Sequence, residues 1–241
     1  MRRLHSPADL ADRSTMIRWA AQALAWGGSA WAHGGAVAVL APRLNRHDRL
    51  VLDGPPGDVD ALLEHLAAPH LRPLVTTDLA ARLSTPARVV FGWMERGGEL
   101  APGPGRWLAE SEWDEVEALL REANPNSYVW PREPGPTRWA GLRVDGGLVA
   151  VAADAWSAPT AGFLAGVATH PDHRGRGLST GLCAFVASSL LTRHGTCALM
   201  VDAGNADAIA VYRKLGFDYR GVAVLESPRQ STPGSPLKTV R

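Results

Sequence analysis

The sequence predicts a mixed α/β fold, an α+β mixed sheet with helices packed on it, and three observations carry that prediction. Apolar runs of strand length alternate with stretches whose apolar residues recur at helical spacing. Gly and Pro clusters punctuate most junctions between them. A hairpin signal, Asp145-Gly146-Gly147, lies among strands that alternate with short helices, the order that suits a mixed sheet.

At the N-terminus, Ser6 or Asp9 can cap a helix running to about Trp26, with Leu10, Met16, Ile17, Ala20, Ala23 and Leu24 apolar. Strands are expected over 36–40, after the Gly34-Gly35 turn, and over 49–53, before Gly54-Pro55-Pro56-Gly57. Residues 58–67 are helical by spacing, with Val59, Leu62, Leu63 and Leu66 on one face. Strands over 71–76 and 87–94 complete an N-terminal α/β domain of residues 1–105, which Gly97-Gly98 and Pro102–Gly105 separate from the rest of the chain. In the second domain, residues 106–226, Ser111 can cap a helix over 113–123 that Asn124-Pro125-Asn126 ends. A hairpin of strands 139–144 and 148–155 comes next, then a strand over 162–169, a helix over 178–192, a strand over 196–201, a helix from 207 to Gly216 and a strand over 218–225. Residues 227–241 read as a flexible tail or a short closing strand over 236–240.

Composition excludes several function classes. A formal charge of +1 gives no global basic field, so neither nucleic acid nor an anionic membrane is an expected partner. Arg2 and Arg3 resemble a signal n-region, but Asp9, Asp12, Arg13 and Arg18 interrupt the apolar stretch that should come next. The most apolar early window, residues 16–26, is shorter than the roughly 20 residues a bilayer requires. A cytoplasmic location is therefore the expectation. Cys183 and Cys197 sit in apolar surroundings without metal-ligand spacing and are expected as buried free thiols, with no metal site.

The most informative stretch runs from residue 167 to 182. An apolar strand stops at Pro171, which cannot donate to a ladder. A loop of Gly and Arg comes next, then an apolar helix. Gly175 and Gly177 allow a tight turn that converges backbone N–H groups at a helix N-terminus, and Arg174 and Arg176 add charge at the rim. Such a site suits a pyrophosphate. The string Arg174-Gly175-Arg176-Gly177-Leu178-Ser179 resembles the R/Q-x-x-G-x-G/A motif of the GNAT superfamily of acyl-CoA-dependent N-acetyltransferases. Two positions depart from that pattern: Ser179 replaces Gly or Ala, and Thr169 replaces the usual aliphatic residue before the proline. Both replacements are small, and they are expected to tune affinity rather than abolish it.

A second block strengthens the resemblance. Asn205 to Phe217 is similar to the superfamily's N-(x)n-Y-x-K-x-G-F pattern, with Gly216 suited to a left-handed C-cap. The resemblance implies two parallel strands, 162–169 and 196–201, that splay apart around the pantetheine arm of acetyl-CoA. It further implies pairing of the pantetheine amides with the backbone near Val167 and Thr169. Residues Arg174, Gly175, Arg176, Gly177, Leu178 and Ser179 would hold the pyrophosphate, Asn205 would reach another amide or simply cap its helix, and Tyr212 would be the proton donor to the leaving thiolate. Tyr212 also fits a core aromatic on an amphipathic helix. A general base is not evident: His170 has a suitable pKa range, and Asp154, Glu133 and Asp202 are further candidates.

The expected function is transfer of an acetyl or short acyl group from acyl-CoA to a primary amine of a small molecule or peptide, with a catalytically idle acyl-CoA sensor or interaction module as the alternative. O-acyl transfer would need a stronger base. The N-terminal half reads equally as a degenerate second GNAT-like unit that shapes the acceptor pocket or as a stabilising cap or dimerisation domain, which leaves a homodimer open. Phe91, Trp93, Trp130, Trp139 and Trp156 fit an aromatic acceptor pocket or ordinary core packing. The superfamily's sheet closes with a seventh strand, for which only 236–240, an N-terminal strand or a partner subunit is available.

Overall fold

The computed structural model describes residues 1–227. Its strands are β1 (Arg2–Leu4), β2 (Ser29–His33), β3 (Ala36–Leu44), β4 (His47–Asp53), β5 (Arg72–Thr76), β6 (Ala87–Gly97), β7 (Arg106–Trp107), β8 (Pro136–Val144), β9 (Gly147–Ala155), β10 (Gly162–Thr169), β11 (Thr196–Val201) and β12 (Asp218–Leu225). The helices are α1 (Thr15–Ala21), α2 (Pro56–Leu66), α3 (Thr77–Ala80), α4 (Trp113–Ala123), α5 (Leu178–His194) and α6 (Ala206–Lys214). No helix among them is long and apolar enough to cross a membrane.

All twelve strands form one sheet in the order β1-β2-β3-β4-β5-β12-β6-β11-β10-β9-β8-β7. Adding six to each of β1–β6 reproduces β7–β12 in reversed order, so the sheet has the connectivity of two similar halves related by a two-fold between β6 and β12. Each half contains one parallel pair, β4 with β5 and β10 with β11, bridged by α2 and α5 respectively. The strand between β11 and β12 is β6, which comes from the N-terminal half and pairs antiparallel with both. An N-terminal strand thus takes the place next to β11, and the sheet runs without a break across the junction at 97–105. The expected strand at 236–240 lies outside the described residues.

Period-2 alternation decides which face each residue serves. Trp93, Phe163, Ala198 and Val222 join α1 in one cluster, while Met94, Leu164 and Leu199 join α5 and α6 in another on the opposite face. Helix α4 packs on Trp139, Val151 and Ala153. Trp19 of α1 stacks on Phe163 at 4.8 Å and tilts against Trp93 at 5.5 Å, which joins the halves. Aromatic pairs of this kind contribute about 0.5–1.5 kcal/mol beyond their buried area.

The expected single helix from Ser6 to Trp26 is in fact three short pieces. Ser6 and Asp9 form a capping box on a one-turn 3-10 segment, Pro7–Leu10, and a second 3-10 segment, Gln22–Trp26, ends at left-handed Gly27. The pieces bend so that Trp19 and Gln22 can both donate to the Trp156 carbonyl. Strands β1 and β2 were not expected. The hairpin at Asp145-Gly146 has the two left-handed residues its turn requires, at φ 50° and 84°.

Candidate functional site

Strands β10 and β11 pair only at Gly162↔Cys197 and Phe163↔Ala198 and then separate. The cause lies in β10, whose register against β9 shifts between Ala165 and Ala168. Gly166 sits in that bulge at φ 63°, and a Cβ there would lie 2.6 Å from the Trp139 ring, so only glycine fits the bend. Backbone groups of Val167 and Thr169 fall in the segment beyond the pairing, as the resemblance requires. The Thr169 hydroxyl is buried and has no hydrogen-bond partner among the described residues.

At the far end of β10, Gly175 and Gly177 are left-handed, and Gly177 is the N-cap of α5. A Cβ built on either would meet nothing within 4 Å. The N–H groups of Leu178, Ser179 and Thr180 open a helix and have no intrahelical acceptor. Helix geometry and dipole therefore present a positive concavity with room for an anion. The two arginines shape it: Arg174 donates to the carbonyls of Thr169 (3.2 Å) and Ala123 (3.0 Å), and Arg176 to that of Asp172 (3.1 Å).

Tyr212 and Asn205 lie on α6. The Asn205 Oδ1 accepts from the Ala208 N–H at 3.1 Å, so this side chain is the helix N-cap, and its amide nitrogen is the group left for a ligand. Tyr212 is 8 % exposed, packs against Phe217 at 6.0 Å, and sits among Leu182, Cys183 and Ile209. Burial pushes its phenol well above the usual value, and the nearby thiols of Cys183 and Cys197 add to that. Both thiols are free and buried, and burial alone raises Cys183 to about 12. Neither is a nucleophile in this setting.

The candidate bases fare differently. His170 uses both ring nitrogens, Nε2 against Glu122 at 3.0 Å and Nδ1 as acceptor of the Asp172 N–H at 3.3 Å, and so anchors the loop rather than presenting a lone pair. Asp154 is 1 % exposed, pairs with Arg138 at 2.9 Å, and lies opposite Leu164, where β10 is still close to β11. Glu133 is ion-paired with Arg46. Asp202 is exposed, and its carbonyl accepts from Asn205 N–H at 3.0 Å. Of the aromatic set, Trp93 and Trp139 are core residues at 2 % and 0 % exposure.

Sequence reasoning missed the β3–β4 turn. It crosses from the N-terminal half to the opening between β10 and β11, where Asn45 Nδ2 lies 3.3 Å from the Met200 sulfur. Next to it, His47 stands 3.5 Å from the Tyr128 hydroxyl. Burial, followed by Arg49, Arg72 and Arg46, holds the His47 imidazole down at about 4. A histidine that folding keeps neutral contributes stability above pH 6.5 that is lost as pH falls toward 4, because the unfolded chain binds the proton first. Thermal denaturation should therefore show a falling melting temperature between those limits. His47→Gln should flatten part of that slope; an unchanged slope would mean that His47 titrates normally.

The corresponding turn of the N-terminal half lacks one of the N–H donors that open α5 and carries a carboxylate instead. Helix α2 begins at Pro56, which has no N–H, after Pro55. Asp58 occupies its first turn and accepts from Gly35 N–H at 2.9 Å, placing a carboxylate where a phosphate would otherwise sit.

Residues 140–224 match the family described as FR47-like protein. No functionally curated protein matches the chain. Among solved structures it is similar to a GCN5-related N-acetyltransferase from Kribbella flavida, with 20% identity and a TM-score of 0.59 over 86% of this chain and 92% of that one. It is also similar to an acetyltransferase of the GNAT family from Colwellia psychrerythraea, with 12% identity and a TM-score of 0.55 over 94% and 99% of the two chains. A third is a GCN5-related N-acetyltransferase from Sphaerobacter thermophilus, with 17% identity and a TM-score of 0.51 over 80% and 81%. These likenesses extend through both halves and concern the fold.

Proposed function

We propose, from the premise that the C-terminal half of this chain is a GNAT-type domain, that the protein transfers an acetyl or short acyl group from acyl-CoA to a primary amine. One observation carries the reading: β10 and β11 part after two residue pairs, between a glycine turn open to an anion and a buried tyrosine. The residues present fit the cofactor. The turn from Arg174 to Ser179 would hold the pyrophosphate, the backbone of Val167 and Thr169 would pair with the pantetheine arm, and the orphaned Thr169 hydroxyl would gain a partner there. The amide nitrogen of Asn205 is placed for another contact. Bound in this way, acyl-CoA supplies an activated thioester carbonyl.

The chain's own contribution is positional and protic. Tyr212 keeps its proton on the phenol oxygen at every working pH and would be the group that protonates a departing sulfur. Its raised pKa does not disqualify it. Burial disfavours the anionic form of a phenol and of a thiol alike, so the same apolar surroundings would raise a departing thiolate's demand for a proton as well. Of the candidate bases, His170, Asp154 and Glu133 are each engaged by another side chain. The amine therefore enters as its neutral fraction and attacks directly, its surplus proton passing to water.

That assignment has a kinetic consequence. Below the amine's own pKa, kcat/KM should rise about tenfold per pH unit. Exchanging the amine for one of lower pKa should move the whole profile. A profile that keeps an inflection near neutrality whatever the amine would identify a base on the protein. The primary test is release of CoA thiol from acetyl-CoA against a panel of amines, amino acids, peptides and aminoglycosides. Turnover confined to one acceptor class supports the proposal, and tight CoA binding without turnover on any of them would replace it with a sensor.

We further propose that residues 1–105 are a degenerate second unit of the same kind. The mirrored strand order supports this, as do the prolines and Asp58 that fill its anion turn.

A further inference from the structure

Three basic residues gather on the sheet face opposite α5. Arg49 pairs with Arg72 across β4 and β5, and Val51 and Leu74, two residues further along, belong to the α1 cluster, which fixes the side on which the arginines project. His47, two residues before Arg49, shares that face. Arg49 is 3 % exposed, yet its guanidinium meets only backbone carbonyls, Leu44 O at 3.0 Å and Asn45 O at 3.5 Å. Arg72 donates to His47 Nε2 at 2.9 Å. Neither arginine forms an ion pair among the described residues. A buried guanidinium without a counter-charge is costly to keep.

The turn these arginines support is a two-residue hairpin loop, Asn45-Arg46, closed by the Leu44↔His47 pair. Arg43, Asn45 and Arg46 have φ of 54°, 48° and 64°, three non-glycine residues in the left-handed region within four positions. Asn45 and Arg46 supply the left-handed pair that such a loop requires, and Arg43 sits at the bulge between Ala41 and Leu44. Arg49 holds this turn through the two carbonyls, and the turn places Asn45 against Met200 beside the opening in the other half. Arg46 and His47 brace it on Glu133 and Tyr128.

We propose that the β3–β4 turn reads the acceptor, and that this acceptor carries, besides its amine, an oxyanion (a carboxylate or a phosphate) held by Arg49 and Arg72. The proposal rests on the acyl-transfer reading above and names its substrate class. The phosphates of CoA are not the anion meant, since they would lie at the N-terminus of α5, on the other face of the sheet. The N-terminal half then has a task its closed anion turn does not: it supplies the charge that selects the second substrate.

The test pairs acceptors that differ only in the anion: phenylalanine with phenethylamine for the carboxylate, phosphoethanolamine with ethanolamine for the phosphate. With acetyl-CoA as donor, kcat/KM should favour the anionic member of one pair by roughly 100-fold or more, and which pair responds identifies the oxyanion. Arg72→Gln, at an exposed position that folding tolerates, should reduce that preference about tenfold while leaving the acetyl-CoA Kd unchanged. Arg49→Gln should reduce it further where the variant folds. A binding arm separates this inference from the acyl-transfer reading: N-acetylphenylalanine and N-acetylated phosphoethanolamine are titrated calorimetrically into the CoA-loaded protein. Anionic amides that bind and lose affinity in Arg72→Gln, with no amine turned over, would keep the anion site and remove the acyl-transfer reading. Equal use of charged and uncharged amines, a preference unmoved by Arg72→Gln, or anionic probes that neither bind nor react would overturn the proposal.

Discussion

Tyr212→Phe should lower kcat by about tenfold or more while leaving the affinity for acetyl-CoA nearly intact. The variant removes one oxygen from a side chain whose ring already lies among Leu182, Cys183, Ile209 and Phe217, so the apolar packing persists. Among the described residues the hydroxyl makes no hydrogen bond that the fold would miss. Its loss should therefore be felt in the transition state, where the leaving sulfur acquires charge and would draw on the phenol's proton. A thioester donor with a more acidic thiol should suffer less from the substitution, because a better leaving group needs less help. Single-turnover acyl transfer with both donors provides the measurement. Equal rates for wild type and variant would take Tyr212 out of the chemistry and leave it a core aromatic.

Gly177→Trp should abolish CoA binding, lowering affinity by about 100-fold or more, which corresponds to about 2.7 kcal/mol. Two costs need separating. At φ 75° any side chain strains the backbone, by roughly 1–2 kcal/mol. A Cβ at this position meets nothing within 4 Å, so the fold has room for the indole, and the room it takes is that reserved for the anion at the start of α5. Gly177→Ala carries the backbone cost with little of the volume. Alanine should therefore retain most of the affinity and tryptophan almost none, with both melting within a few degrees of wild type. Calorimetric titration with CoA decides. Wild-type heat from the tryptophan variant would show that the pyrophosphate lies elsewhere.

Much of the C-terminal half was legible because its signals are local. Strands over 162–169, 196–201 and 218–225 and the helix over 113–123 lie where turn residues and periodicity placed them. The glycine turn could be read as an anion site because its chemistry is written within six consecutive residues. His170 shows the limit of such reading. Its residue type and position at a strand end suit a base, but its ring nitrogens are committed, Nε2 as donor to Glu122 and Nδ1 as acceptor from Asp172 N–H, and Glu122 lies 48 residues away in the chain.

By itself the sequence determined the α/β class, the order of elements beyond residue 106, the left-handed glycine turn at the start of α5 and the helix that carries Tyr212. Each of these depends on neighbours within a few helical turns. Tertiary structure alone decided that β6 inserts between β11 and β12, that both halves share one sheet, and that the hairpin turn at Asn45 reaches Met200 across 155 residues of chain. Strand pairing and side-chain contact at such separations leave no periodic trace, since an edge of Ala, Val and Trp can pair with any similar edge. Which edge it meets is fixed by the packing of the whole sheet, and so the pairing of Arg49 with Arg72 could be located only in the folded chain.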